Sequence, residues 1–149
     1  MCLYVAFIDL KKCFDSIYRN GMWLCKTGIQ SKMLRLVKNM YAKVKSCVKS
    51  CNTFSDLFEY SVGLRQGEVI SPILVSLFLG DLEMFLQNDI NSGILIDNIA
   101  IIILLFADDM VIFGKTAEEL QHKLDLLYSY CLHWSLEVNV DKTKVMVFR

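Results

Sequence analysis

The chain has 149 residues, of which 54% are hydrophobic and 21% are charged, and its formal net charge is zero. This length suits one domain with a substantial core, and the balance of charge excludes a protein whose whole surface is basic. The most hydrophobic run, residues 99–107, is far shorter than the roughly 20 residues that cross a bilayer, so we expect no membrane span.

The first residues reach Asp9 early and have neither a basic leader nor a small-residue cleavage site, so no signal peptide is predicted. We therefore expect an intracellular chain, and the sequence does not decide between cytoplasm and nucleus. In a reducing compartment its six cysteines would be buried or incidental thiols. Cys47 and Cys51 have no histidine nearby that would complete a zinc site.

Apolar periodicity predicts a strand, a helix and a hairpin in the first half of the chain. Residues 3–10 form an apolar run typical of a buried strand. Residues 31–44 predict a helix with one apolar face, made of Met33, Leu36, Val37, Met40 and Val44. Residues 44–51 and 57–62 predict two short strands that are joined by a turn around residues 52–56.

The second half begins with a predicted helix over residues 71–87, which Ser71 would cap and Pro72 would start. Residues 99–107 predict a buried strand, and residues 101–113 predict a hairpin. Residues 116–134 predict an amphipathic helix, and the following residues form its capping box and apolar stripe: Thr116 and Glu119, then Leu120, Leu124, Leu127, Cys131 and Trp134.

A last strand is predicted at residues 144–148. The resulting order of elements predicts an α+β domain with a largely antiparallel sheet and helices packed on one face.

Paired aspartates lie at the turn of the second predicted hairpin. Asp108 and Asp109 could be ordinary turn residues. However, Asp9 lies at the end of another apolar strand, and carboxylates that converge from strand ends cannot all stay charged without a cation. Magnesium prefers such hard oxygen ligands, and a pair of ions suits phosphoryl transfer.

Four segments occur in order: FIDLKKCFDSI, GLRQGEVISPIL, LLFADDMVIF and LEVNVDKTKVMVF. Together they resemble successive motifs of the reverse transcriptase palm, in the style of non-LTR (LINE-type) retrotransposons. The resemblance implies that residues 1–149 are a palm-like fragment, with the fingers, the thumb and any endonuclease domain largely absent.

The resemblance assigns catalytic roles to four residues. Asp9 and Asp108 match the main ligands of two Mg²⁺ ions, which Mn²⁺ could replace, and Asp109 matches a neighbour that is less directly bound. Lys142 matches a lysine that protonates the pyrophosphate leaving group, and its alternative is a solvated surface lysine. The implied reaction joins a dNTP to a primer 3′-hydroxyl.

The resemblance also implies a nucleotide site and a nucleic-acid surface. Phe14 matches the ring that excludes a ribose 2′-OH, while Gln66 and Gly67 match residues beside the incoming nucleotide and the template base. Gly67 could also be a simple turn. Residues 16–55 contain no acid, and their cations could bind an RNA template and DNA primer or form an ordinary solvated surface: Arg35, Lys38, Lys43, Lys45 and Lys49.

Two functions of different class remain open at this point. One is an RNA-directed DNA polymerase palm that works within a longer polypeptide. The other is a catalytically silent retrotransposon remnant with at most weak nucleic-acid or protein binding. Departures from the family pattern at Cys13, Glu68 and Ser135 favour the remnant, whereas the intact aspartates favour the polymerase. An RNA-directed RNA polymerase is disfavoured by Phe14.

Overall fold

The computed structural model describes residues 2–20, 31–87 and 93–149. Its centre is a four-stranded sheet in which every pairing is antiparallel. The strands, in their order across the sheet, are β10 (Lys144–Phe148), β1 (Leu3–Asp9), β9 (Asp109–Gly114) and β8 (Ile103–Phe106). The strands predicted at residues 3–10 and 144–148 and the hairpin at residues 101–113 are thus confirmed.

The two faces of the sheet differ, because alternate side chains of a strand point to opposite sides. Ala6 and Ile8 of β1 belong to the main hydrophobic core, together with Met110 and Ile112 of β9. Phe7, between Ala6 and Ile8, is exposed. One face of the sheet therefore packs against the helices and the other is partly open.

Five helices are described: α1 (Cys13–Ser16), α2 (Ser31–Tyr41), α3 (Ser71–Phe78), α4 (Leu82–Leu86) and α5 (Ala117–Trp134). The stripe predicted for α5 is confirmed, since its members are buried or half-buried. Its cap is also confirmed, because Thr116 Oγ1 accepts a hydrogen bond from Glu119 N at 3.1 Å. The Glu119 carboxylate accepts a hydrogen bond from Lys115 N at 2.7 Å. In the usual capping box the donor is the backbone N–H of the N-cap residue, one position later in the chain.

Three small hairpin ladders complete the fold. The first hairpin contains the pairs β2 (Lys45–Ser46) with β5 (Phe58–Glu59) and β3 (Lys49–Ser50) with β4 (Thr53–Phe54). It was predicted, but its turn lies at residues 51–52, before the predicted position. The other ladder joins β6 (Ile94–Ile96) to β7 (Ile99–Ile101).

The single helix predicted over residues 71–87 is wrong, because α3 ends at Phe78 and α4 begins at Leu82. The predicted cap is also wrong, since Ile70 is the N-cap residue and Ser71 lies inside the helix. The Ser71 hydroxyl instead donates to Arg65 O at 2.6 Å. A buried hydroxyl needs a partner, and the carbonyl of the preceding loop provides it.

The apolar face predicted for α2 is only partly correct. Val37 is buried, but Met33, Leu36 and Met40 are exposed. Tyr41 is buried, so it packs against the core where the pattern had placed the two methionines. Val44 is buried as well, but it lies beyond the end of the helix.

The buried strand predicted at residues 99–107 is also wrong as a single element. It divides into β7 and β8, and its side chains are not uniformly buried, because Phe106 is 83% exposed. The strand β8 forms an edge of the main sheet, so one of its faces stays open.

No helix in residues 2–20, 31–87 and 93–149 is long and apolar enough to cross a membrane. Within the same ranges, the cysteines are free thiols: Cys2, Cys13, Cys47, Cys51 and Cys131. Cys25 lies outside the described residues.

Candidate active site

Two of the predicted catalytic aspartates are direct cross-strand neighbours. The register of β1 and β9 pairs Asp9 with Asp109, at the point where β1 ends and β9 begins. Asp108 lies in the tight turn between β8 and β9, next to Ala107, whose φ is 53°. Like charges directly opposite each other in a sheet are destabilising, so this pair needs a compensating positive charge.

Asp9 is held by the loop that precedes β10. Asn139 Nδ2 donates to Asp9 Oδ2 at 2.9 Å, and Asn139 N donates to Asp9 O at 2.8 Å. Lys142 Nζ lies 3.7 Å from Asp9 Oδ1, and its side chain is 70% exposed. The structure thus brings Lys142 to Asp9, although an exposed ion pair of this kind adds little stability. Sequence analysis missed Asn139.

The carboxylates supply hard oxygen donors, which is the chemistry that Mg²⁺ prefers. They are not closed into a ligand cluster, however. In the described part of the chain, no three His, Cys, Asp or Glu side chains form a group that could hold a metal ion. The structure therefore brings Asp9 and Asp109 together, and the metal-binding roles of Asp9, Asp108 and Asp109 stay predictions.

Behind the aspartates lies a buried thiol. Burial raises the pKa of Cys13 to about 12, and the negative charge of Asp108 adds to the shift. Cys13 is therefore a neutral thiol at physiological pH and acts as a small apolar side chain.

The three residues predicted to bind the nucleotide meet in one cavity of about 550 Å³, which is lined by Phe14, Gln66, Gly67, Glu68, Ser71 and Pro72. Gly67 has a φ of 87°, and a Cβ placed there would meet no atom within 4 Å. Glycine is favoured at this position by the backbone conformation, and the open space beside it leaves room for a ligand. Both predicted roles of Gly67 fit this geometry.

Backbone hydrogen bonds join the wall that carries Gln66 to the wall that carries Phe14. Leu64 N donates to Phe14 O at 2.6 Å, and Gly63 N donates to Ile17 O at 2.9 Å. Gln66 Nε2 donates to Asp15 Oδ1 at 3.2 Å. This last contact adds a side-chain hydrogen bond between the two walls, because Asp15 directly follows Phe14 in α1.

The cations predicted to bind nucleic acid are all exposed, and they lie on successive elements. Arg35 and Lys38 belong to α2, Lys43 follows that helix, and Lys45 and Lys49 lie on the first hairpin. Lys45 Nζ is 3.7 Å from Glu59 Oε1, which offsets part of its charge. Lys49 Nζ lies 5.6 Å from the centre of the exposed Phe54 ring.

Sequence analysis missed two buried cations, Arg19 and Lys123, which are 4% and 1% exposed. Lys123 Nζ donates to Phe113 O at 2.6 Å and to Glu119 Oε1 at 2.7 Å. Its position three residues after Leu120 on the buried stripe of α5 was a usable signal. Arg19 had no comparable signal, because no periodic pattern surrounds it.

A family model described as reverse transcriptase (RNA-dependent DNA polymerase) matches residues 1–147. The chain belongs to the reverse transcriptase family. The match confirms the resemblance carried by the four motifs. It covers both the segment that contains Asp9 and Phe14 and the segment that contains Lys142.

Relatives of this reverse transcriptase chain include proteins of non-LTR retrotransposons. It is 31% identical over 143 residues to the retrovirus-related Pol polyprotein from type-2 retrotransposable element R2DM of Drosophila melanogaster, covering 93% of this chain and 13% of that protein. It is 24% identical over 150 residues to the RNA-directed DNA polymerase from mobile element jockey of Drosophila funebris, covering 96% and 16%. The chain thus spans only a small part of the length of these relatives.

Solved telomerase structures from Candida tropicalis share the fold. The apo form truncated from its C-terminal domain gives a TM-score of 0.70 at 19% identity, over 99% of this chain and 31% of that one. The form in complex with a TWJ fragment of telomeric RNA gives a TM-score of 0.70 at 18% identity, over 98% and 26%. These similarities confirm the predicted palm-like α+β fold.

Proposed function

We propose that this chain is the catalytic palm of an RNA-directed DNA polymerase, in which Asp9, Asp108 and Asp109 bind two Mg²⁺ or Mn²⁺ ions. The observation that supports this most directly is the register that pairs Asp9 with Asp109 and leaves Asp108 in the adjoining turn. Two carboxylates forced together at strand ends have little structural benefit. A divalent cation held by these carboxylates would offset that repulsion.

The reaction would transfer a nucleotide from a dNTP to the 3′-hydroxyl of a DNA primer, with release of pyrophosphate. The ions, when bound, stabilise charge on the attacking and leaving oxygens. The protein contributes position: Asn139 fixes the rotamer of Asp9 through its 2.9 Å hydrogen bond. Lys142 is exposed and close to Asp9, so its ammonium can donate a proton to the departing pyrophosphate.

The cavity lined by Phe14, Gln66 and Gly67 is the proposed nucleotide site. Phe14 forms one wall, and Gln66 and Gly67 form another. The half-buried ring of Phe14 would occupy the space that a ribose 2′-OH needs, which selects a deoxynucleotide. The open backbone at Gly67 would let the base pair approach closely.

The template would be RNA, and the exposed cations of α2 and the first hairpin would contact its phosphates or those of the primer. Their proposed members are Arg35, Lys38, Lys43, Lys45 and Lys49. Contacts of this kind release counterions, so binding should weaken steeply as salt rises.

The second candidate function is a silent remnant that binds nucleic acid or protein weakly. It is favoured by the lack of a closed ligand cluster among the described side chains. The two candidates predict opposite results for the aspartates in a polymerase assay.

The deciding experiment is primer extension by the full-length polypeptide that contains this chain, with primed poly(rA), dTTP and Mg²⁺. Asp9→Asn and Asp108→Asn should each lower the rate by roughly a hundredfold or more, because each would remove a carboxylate ligand of the ions that stabilise charge on the reacting oxygens. The matched control is Asp97→Asn, at an exposed turn position with a φ of 48° that asparagine adopts readily. Extension that resists both active-site changes would contradict the proposal.

A further inference from the structure

Arg19 is a buried guanidinium whose described hydrogen bonds go to backbone carbonyls. Its Nε donates to Gly63 O, its Nη1 donates to Tyr41 O at 3.3 Å and to Tyr60 O at 3.2 Å, and its Nη2 donates to Val62 O at 3.3 Å. These carbonyls belong to the end of α2 and to the segment that follows β5. Arg19 thus joins parts of the chain that are 22 to 44 residues from it in sequence.

Two aromatic rings enclose the same guanidinium. Its carbon lies 5.2 Å from the centre of the Tyr41 ring and 4.9 Å from the centre of the Tyr60 ring. Burial lowers the pKa of Arg19 from its ordinary value, and the two tyrosines oppose that shift. A cation is costly to bury unless its donors are satisfied, and here carbonyls and ring faces satisfy them.

The segment that Arg19 holds leads directly into the nucleotide cavity. Tyr60, Val62 and Gly63 accept hydrogen bonds from Arg19. The chain then continues to Gln66 and Gly67 on the cavity wall. Tyr41 provides a second connection, because its hydroxyl donates to Glu68 Oε2 at 3.2 Å and Glu68 lines the same cavity. Both connections run from Arg19 to the wall opposite Phe14.

We propose that Arg19 is a positioning residue for nucleotide selection, which sets the distance between Phe14 and the wall formed by Gln66 and Gly67. The inference rests on the proposed polymerase function. Arg19 itself is buried and need not touch the nucleotide. It acts through the backbone of residues 60–63, whose displacement would widen or narrow the space for the sugar and base.

A lysine cannot replace this residue. The guanidinium is a planar fork of N–H donors that reaches several carbonyls at once and stacks between aromatic rings, whereas an ammonium is a compact point charge. Arg19→Lys keeps the charge and removes the fork. It therefore tests the geometry of the clamp separately from its charge.

The first measurement is amide hydrogen exchange in the full-length polypeptide that contains this chain, and it requires no activity. Gly63 N and Leu64 N donate to Ile17 O and Phe14 O, so Arg19→Lys should speed their exchange by about tenfold or more and leave the β1–β9 amides unchanged. Arg149→Lys is the matched control, because it makes the same exchange of side chain at an exposed position. Unchanged protection of Gly63 and Leu64 would overturn the clamp.

The second measurement is single-nucleotide incorporation by the full-length polypeptide. Arg19→Lys should raise the dNTP KM and lower the preference for dNTP over rNTP, each by about tenfold, with kcat nearly unchanged, because binding geometry is altered and the reacting groups are not. A purely structural role would lower the amount of active enzyme, and hence the apparent kcat, without changing KM or sugar preference.

Tyr60→Leu removes one of the rings that enclose Arg19 and keeps the backbone carbonyl of residue 60. Both measurements can therefore be made on this variant if Arg19→Lys does not fold. It should change KM and sugar preference in the same direction. Suppose that the wild-type enzyme is active and that Asp108→Asn abolishes its activity. An unchanged KM and an unchanged sugar preference in the Arg19 or Tyr60 variant would then overturn this inference alone. A wild type without activity would overturn the proposed function and the nucleotide part of this inference, while hydrogen exchange would still decide the clamp.

Discussion

The ring of Phe14 is half-buried and forms one wall of a cavity that Gln66 and Gly67 complete. Its position is fixed from behind, because Phe14 O accepts a 2.6 Å hydrogen bond from Leu64 N. A ring held in this way can exclude an additional oxygen atom on the sugar, whereas a mobile one would move aside. Sugar choice is therefore a property that one side chain and its backbone support can set.

We expect Phe14→Val to admit ribonucleotides in the full-length polypeptide, because it removes the bulk that excludes the 2′-OH. The ratio of kcat/KM for dTTP to that for UTP should fall by about a hundredfold, the loss expected when a steric exclusion is relieved. Single-nucleotide incorporation on primed poly(rA) measures both values. Phe148→Val, on the exposed β10, is the control. An unchanged ratio would show that Phe14 serves only as a core residue.

A second residue-scale prediction concerns Glu119 and Lys123. Burial alone would raise the pKa of Glu119, but hydrogen bonds from Lys123 and from the backbone of Lys115 and Gly93 outweigh it, and the pKa is lowered. Because the pKa of Glu119 is lower in the folded state, this carboxylate contributes to the free energy of unfolding above the unfolded pKa of about 4.3. The contribution is lost as the pH falls through the pKa of the folded state. The free energy of unfolding should thus fall with acidification below about pH 4.3.

Chemical denaturation at a series of pH values measures this slope. Glu119→Gln should flatten it, whereas Glu83→Gln, on the exposed side of α4, should not. A slope that survives Glu119→Gln would show that other carboxylates control acid stability.

At the scale of elements, the segment between β5 and α3 depends on two glycines with different requirements. Gly63 has a φ of 84°, and a Cβ placed there would lie 2.6 Å from Asp15 O. Gly67 has a φ of 87° but open space around it. The first glycine therefore permits both a backbone conformation and a close approach to α1, and the second permits only the conformation.

Alanine at these two positions should separate the effects. We expect Gly63→Ala to lower the free energy of unfolding by about 2–5 kcal/mol, since backbone strain and a clash add together. Gly67→Ala should cost about 1–2 kcal/mol, from the left-handed conformation alone. Urea denaturation of the two variants compares them directly. Equal losses would mean that the contact with Asp15 relaxes easily.

The elements of the fold differ in how far the sequence could predict them. Short apolar runs were sufficient to predict β1, β9 and β10, because runs of this length bounded by polar or turn residues are typical of strands. Residues 71–87 misled, since apolar residues resume after Gly80 and Asp81, so the pattern hides that α3 ends at Phe78. The clamp at Arg19 was not predictable, because its acceptors are backbone carbonyls, which every sequence possesses.

The candidate site was predictable to a similar extent. Motif order located Asp9, Phe14, Gln66 and Lys142, and the structure brings Lys142 to Asp9 and Phe14 to Gln66. The pairing of Asp9 with Asp109 depends on strand register, which distant residues set through the core. Asn139 was missed for the same reason.

The whole molecule leaves much apolar surface exposed. The sheet ends at β10, an edge strand whose residues Val145, Met146, Val147 and Phe148 are all exposed, and Phe106 stands open at the other edge. An edge strand of this composition offers unpaired backbone groups and apolar side chains to other chains. We therefore expect the isolated chain to associate or to be poorly soluble. The surface also agrees with a chain that spans a small part of the length of its relatives.

The 149-residue chain alone should show no measurable primer extension, even with Mg²⁺ present and every aspartate intact. Phosphoryl transfer needs the triphosphate and the primer end held in line, and loss of orientation alone can remove several orders of magnitude in rate. The described lining of the cavity at Phe14 consists of residues 14, 66–68, 71 and 72, none of which carries a positive charge that could hold a triphosphate. The assay compares the purified chain with its Asp108→Asn variant on primed poly(rA) with dTTP. Extension above that variant would show that the palm is sufficient for catalysis, and that its own carboxylates and cavity provide the orientation that we assign to the rest of a longer protein.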